Sequence, residues 1–229
     1  MLPLPDGTPL LGHTIDALFS TGVVDEVTVV TGYRQDVILD YLESRSFANQ
    51  VSAVFNPHYA SRGPVWSIAS AFAVTSAEIA IFNGDTYFER SAITEMAEIL
   101  ATSRGGSHLF GSVPQSYEAD DIKVCASHGK LVTAGKHIDP AYSVMKSAGV
   151  FAATTPLATR AFMTHVEDIV TGRKPEPKTW HECLGQIAGK IPIEIHRVPL
   201  GSWHEIDCPE DLAELTDVVS AAREMRAFA

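Results

Sequence analysis

Glu78-Ile79-Ala80-Ile81-Phe82-Asn83-Gly84-Asp85 is the stretch that decides the fold. An unbroken apolar run of this length, stopped by Asn-Gly, reads as a strand buried on both faces, as strands of parallel sheets are. Ligands of such sheets gather at the carboxyl ends of strands. Asp85, the first carboxylate past the run, therefore stands where a ligand would meet it. An Asx-type turn, in which Asp85 serves only local amides, is the competing account.

Towards the N-terminus the elements alternate. Residues 9–21 carry Leu10, Leu11, Ile15, Leu18 and Phe19 at helical spacing, with Pro9 at the start and Gly22 at the end. Residues 25–32 form a β-branched strand, 34–44 a second amphipathic helix, 51–55 a strand and 65–74 a helix of small residues. This order argues for a doubly wound α/β sheet through about residue 114, with right-handed crossovers and helices on both faces. Past a strand at 107–113 the pattern changes. Residues 122–126 and 130–134, parted by Ser127-His128-Gly129, alternate like an antiparallel hairpin. A strand at 147–153, a helix at 156–170, a charged loop at 173–178, a helix at 179–188, strands at 193–198 and 203–206 and a helix at 210–228 complete the chain. Without internal repeats, a single domain over residues 1–229 with a mixed, mostly parallel sheet is the expected organisation.

Composition removes whole classes of function. With 17 basic against 28 acidic residues, the net charge is −11. No Lys/Arg cluster offers a footprint for a phosphate backbone, so nucleic-acid partners are not expected. No apolar run approaches a membrane span, and the start Met1-Leu2-Pro3-Leu4-Pro5 lacks secretory character, so a cytoplasmic protein is expected. Cys125, Cys183 and Cys208 fit neither a disulfide framework nor a CxxC clip. Phosphate-loop, dinucleotide, esterase-elbow and zinc-protease motifs are absent, and His181-Glu182 lacks a second histidine. His13, His58, His181 and His204 have no metal or triad spacing and read as structural or surface residues.

A second acidic cluster, Trp203-His204-Glu205-Ile206-Asp207-Cys208-Pro209-Glu210-Asp211-Leu212, lies where a strand hands over to a helix. Asp207 taken singly fits a helix N-cap. Together with Asp85 it points elsewhere, because Mg²⁺ is typically held by one or two carboxylates plus phosphate oxygens and waters. Attack of an anionic oxygen on an α-phosphorus needs its charge offset by metal and by cationic side chains. Lys123 and Lys136, on the hairpin, are the candidate cations, with a solvated strand face as the alternative for both.

The order Gly7-Thr8-Pro9-Leu10-Leu11 with His13-Thr14-Ile15, Thr31-Gly32-Tyr33, Phe55-Asn56-Pro57 with Tyr59 and Ser67, then Asn83-Gly84-Asp85 resembles nucleotidyltransferases of the sugar-phosphate and phosphocholine type. Asp121-Ile122-Lys123-Val124, Gly129-Lys130-Leu131-Val132 with Lys136, and Trp203-His204-Glu205-Ile206-Asp207 are most similar to the phosphocholine and phosphonate cytidylyltransferase branch. The resemblance implies a Rossmann-like, GT-A-like three-layer sandwich. It implies that Asp85 and Asp207 hold a catalytic Mg²⁺, and that Asn56, Ser67 and Asp85 lie at the nucleotide. Lys123 and Lys136 would meet the phosphates of nucleotide and acceptor. The partners it implies are a nucleoside triphosphate, CTP, and a small phosphate or phosphonate such as phosphocholine. A quaternary ammonium would find Trp180, Trp203 and Tyr142 as aromatic candidates, although core packing is the commoner fate of such residues.

The family opens on a strand leading into a Gly-rich loop that carries an Arg and a Lys, and residue 1 here falls just before the first helix. Leu2-Pro3-Leu4 is too short and Pro-rich to be that strand. A start upstream of Met1, a strand from another chain (a homodimer stays open) and a non-catalytic nucleotide-binding relative are the three explanations, and the intact motifs favour the first. Sugar 1-phosphates with UTP, dTTP or GTP are the alternative substrates. A glycosyltransferase would want an Asp-x-Asp where Tyr87 stands.

Overall fold

Pro9, with φ of −61° and no N–H to lose, pre-sets the first turn of helix α1 (Leu10–Ser20) in the computed structural model, which describes residues 1–45, 47, 49–72, 78–103 and 105–227. Strand β1 (Val27–Thr31), helix α2 (Gln35–Ser44), strand β2 (Val51–Phe55), helix α3 (Pro64–Phe72) and strand β3 (Ile79–Phe82) follow in the expected alternation. Residues 73–74 and 228, the ends of two expected helices, lie outside the described residues. β1 and β2 pair in parallel, from Val27 opposite Val51 to Thr31 opposite Phe55.

Strand β4 (Thr86–Phe88) and helix α4 (Arg90–Thr102) come next, two elements beyond those expected from the sequence. The helical signal was nonetheless there, since Ala92, Ile93, Met96 and Ala97 sit at i, i+1, i+4 and i+5 and are all buried. Strand β5 (Ser107–Ser112) leads to the hairpin of β6 (Lys123–Ser127) and β7 (Lys130–Gly135). Its turn uses His128 and Gly129, both at positive φ (51° and 75°), the conformation that matches strand twist in two-residue hairpins. Strand β8 (Met145–Ala153), helices α5 (Pro156–Val170) and α6 (Trp180–Ile187), strands β9 (Glu194–Arg197) and β10 (Trp203–Glu205) and helix α7 (Pro209–Ala227) complete the order.

Six strands form one sheet in the order β3-β8-β5-β9-β7-β6. β8 is buried along nearly all its length and rich in small residues, which suits a central position. It runs antiparallel to both neighbours, so β3 and β5 keep a common direction without pairing. The sheet is mixed, as expected, but its parallel pairings are limited to β5–β9 and, separately, β1–β2 among the described residues. No pairing joins β1 to β3 among those residues, and the sheet divides there.

Alternation along β5 and β8 supplies two apolar layers. Leu109 and Phe151 pack with Val65 and Ile68 of α3, Phe162 and Val166 of α5, and Cys183 and Leu184 of α6. Phe110 and Val150 point the other way, to Ala17 of α1 and Ile93 and Met96 of α4. Helices on both faces of a mixed sheet make the three-layer arrangement. A smaller cluster of Leu4, Leu10, Ile206 and Leu215 ties the N-terminal segment to α7. No helix is long and apolar enough to cross a membrane among the described residues.

Candidate functional site

β4 and β10 pair antiparallel, Thr86 opposite Glu205 and Phe88 opposite Trp203, although more than 110 positions separate them. One step further the Ile206 N–H donates to the Asp85 carbonyl at 2.9 Å. This register brings Asp85 beside the residues flanking Ile206. Carboxylate oxygens of Asp85, Glu205 and Asp207 lie within 4.8 Å of one another. Asp211 rather than Asp207 takes the backbone donors at the start of α7, accepting from the N–H groups of Asp207 and Cys208 at 2.8 Å each.

Three acids this close repel. Burial, then the charges of Asp207 and Asp85, push the Glu205 carboxyl up to about 7 against the pull of Lys146 and Lys136. Burial likewise raises Asp85, with Asp207 adding to it, although its backbone amide and the Thr86 hydroxyl oppose the shift. An oxygen-only set of three crowded carboxylates is the donor chemistry that a hard divalent cation prefers, and these residues fit one.

Lys146, on β8, is the cation most firmly built into this region. Its ammonium sits 2.5 Å from the Asp121 carboxylate and 5.4 Å from the centre of the Trp203 ring. Burial disfavours its charge, but Asp121, with Glu205 and Glu118, outweighs that and holds its pKa above the ordinary lysine value. Lys136 is exposed and near enough to Glu205 to act on it. Lys123 is turned to another task. Its buried ammonium donates to the carbonyls of Glu118 (2.9 Å), Asp121 (3.2 Å), Lys136 (3.3 Å) and Ala119 (3.5 Å), which organises the loop before β6.

Asn56 and Ser67 are brought together at the carboxyl end of β2. The Asn56 amide donates to the Ser67 hydroxyl at 3.0 Å while its carbonyl oxygen accepts from the His58 N–H at 2.8 Å, an Asx turn that shapes this strand end. Asn83 accepts from the Trp180 indole at 3.0 Å and packs on Gly149, where a Cβ would lie 2.6 Å from the Asn83 amide nitrogen and where a φ of +72° itself favours glycine. Trp180 and Trp203 are buried, and Tyr142 is exposed. The Trp203 indole donates to Ser112 at 2.8 Å. Each of the four histidines has a local partner: His13 meets the Phe88 carbonyl, His181 the Ser147 hydroxyl and His204 the Gly201 carbonyl, while the exposed His58 packs edge-on against Trp66.

Glu205 and Lys146 are the members of this constellation that sequence reasoning missed. Glu205 stands two residues before Asp207, and the period of two along a strand was the available signal. Lys146, a lone charge in an otherwise small and apolar strand, was the other.

Residues 1–118 match the MobA-like NTP transferase domain. Over 228 residues the chain is 22% identical to CMP-5'-(3-aminopropyl)phosphonate synthase of Streptomyces rubellomurinus, covering 96% of this chain and 35% of that one. The chain thus spans about a third of that relative's length. Its fold is similar to those of the inositol-1-phosphate CTP transferase from T. maritima (TM-score 0.73, 19% identity, 94% of this chain and 83% of the other) and the CTP:phosphocholine cytidylyltransferase from Streptococcus pneumoniae (0.69, 17%, 93% and 86%). A UDP-glucose pyrophosphorylase complexed with UDP-glucose aligns with a TM-score of 0.76 at 16% identity, over 97% of this chain and 90% of the other.

Proposed function

Because the chain belongs to the MobA-like NTP transferase family, we propose that it transfers CMP from CTP to a small phosphate or phosphonate, such as phosphocholine, and releases pyrophosphate. The convergence of Asp85, Glu205 and Asp207 at the end of β3, beside Lys146, carries this reading. The acceptor oxygen forms a bond to the α-phosphorus as the bond to pyrophosphate breaks.

Asp85, Glu205 and Asp207 would hold Mg²⁺, which when bound supplies positive charge against the triphosphate. Without such a cation the three carboxylates repel the substrate, so binding of triphosphate and of cation should be linked. Lys146 is kept charged and oriented by Asp121, and Lys136 adds an exposed positive charge near Glu205. Both offset charge on the phosphates as the leaving group develops. Asn56 and Ser67 frame the strand end on which the nucleoside would lie.

Incubation of the 229-residue protein with CTP, Mg²⁺ and phosphocholine or 3-aminopropylphosphonate should release pyrophosphate, and Asp85→Asn should abolish the release. Full activity in Asp85→Asn would refute the assignment. The structural likeness to a UDP-glucose pyrophosphorylase favours sugar 1-phosphates as the second reading. A thermal-shift screen of the nucleoside triphosphates separates the two, since a ligand at 100 times its Kd stabilises by about 2.7 kcal/mol.

A further inference from the structure

On the sheet face covered by α4, near the amino end of β5, a second group of metal-binding side chains converges. His108 of β5 is buried and aligned opposite Glu194 of the parallel strand β9, two residues from His196. The His108 Nδ1 lies 3.0 Å from the His196 Nε2, and the Glu194 Oε2 lies 3.9 Å from each. For a triangle of sides 3.0, 3.9 and 3.9 Å, the point equidistant from all three atoms is about 2.1 Å from each, within the bond lengths Zn²⁺ makes to imidazole nitrogen and carboxylate oxygen. We propose that His108, Glu194 and His196 form a Zn²⁺-class site that clamps β9 to β5, with water in the remaining position.

The surroundings suit the assignment. The other ring nitrogen of His108 lies 3.2 Å from the Gly105 carbonyl, which can only accept. His108 therefore carries its proton on Nε2, which leaves the lone pair of Nδ1, 3.0 Å from the His196 Nε2, available to a cation. A ligating histidine is typically oriented by this kind of outer hydrogen bond. His196 needs only to move its proton from Nε2 to Nδ1. Burial lowers the pKa of both imidazoles, favouring the neutral form that binds a metal. Glu194 is held by the Ser103 hydroxyl at 3.3 Å, beyond the end of α4, and keeps a partly solvent-exposed side through which an ion can enter.

The clamp is separate from the acidic cluster. His108 and Ala80 both pair with Ala152, near the amino ends of β5 and β3, whereas Asp85 lies in the turn beyond the carboxyl end of β3, three residues past Phe82. Two nitrogens and one oxygen are borderline donors that suit Zn²⁺, whereas the three carboxylates suit a hard cation. The clamp would join a strand from the first half of the chain to one from the second.

The EDTA-treated 229-residue protein in an Asp85→Asn background, which removes one acid of the acidic cluster, should bind one Zn²⁺ per chain and melt at a higher temperature with it. Co²⁺ should give the visible absorption of a four-coordinate site and be displaced by Zn²⁺. His196→Ala should weaken Zn²⁺ binding by more than about 100-fold, beyond the loss of an outer hydrogen bond. Glu194→Gln, at the surface, provides the same test should His196→Ala misfold. Unchanged Zn²⁺ affinity in a folded ligand variant, or no Zn²⁺ binding by the Asp85→Asn chain at micromolar metal, would overturn the site.

Discussion

Replacing Glu205 by Gln should make the metal-free protein more stable at pH 8 and leave it unchanged at pH 4. The Glu205 carboxyl is raised from 4.5 to about 7 by burial and by Asp207 and Asp85. At 1.36 kcal/mol for each tenfold change this is about 3 kcal/mol of strain in the ionised state. The sign follows from linkage. A carboxyl raised in the fold binds its proton more tightly there than in the unfolded chain, so stability is full below pH 4.5 and is lost as pH rises through about 7. Gln mimics the protonated form at every pH. Solvent at the partly exposed edge and the nearby lysines reduce the gain, so an increase of about 1–3 kcal/mol at pH 8 is expected. Urea denaturation in EDTA at pH 4, 6 and 8 measures it. A variant no more stable than the parent at pH 8, or equally stabilised at pH 4, would refute the picture of three repelling carboxylates. Saturating Mg²⁺ should reverse the order, since the parent has more to gain from a cation.

Two further substitutions test the frame around the site. Phe162 is fully buried, with ring centres 4.9 Å from Phe151 and 5.9 Å from Phe72, so Phe162→Ala should cost about 3–5 kcal/mol in urea denaturation; a loss under 1 kcal/mol would mean the layer under α5 repacks. Asp121→Asn removes the partner of Lys146 while that ammonium stays three-quarters buried, and about 2–3 kcal/mol should be lost, less than for a wholly buried pair. The cost should vanish when Lys146→Met is added, as a double-mutant cycle would show.

Much of the fold was legible because its signals are local. The β-branched run at 27–31, the apolar run at 79–82 and the helix at 156–170, opened by Pro156 and capped by Thr155, each carry their own period and punctuation. Asp85 and Asp207 could be singled out because strand ends are where such sheets meet ligands. β4 was missed because three residues are too few for an alternation to register. Lys123 and Lys146 show the limit for site residues. Both are lysines near strand starts, yet one ammonium is enclosed by four loop carbonyls and the other lies among acids.

Sequence alone determined the order of helices and strands in the first 82 residues, the acidic residues at strand ends and the resemblance to nucleotidyltransferases, since periodicity and turn chemistry act over a few residues. Tertiary structure decided what depends on register between distant segments. The pairing of β4 with β10 added Glu205 to the two expected carboxylates, the insertion of β8 between β3 and β5 set the sheet's directions, and the alignment of β5 with β9 joined His108 to Glu194 and His196. Such registers arise from packing two apolar faces at once, a constraint that no single strand carries in its own letters.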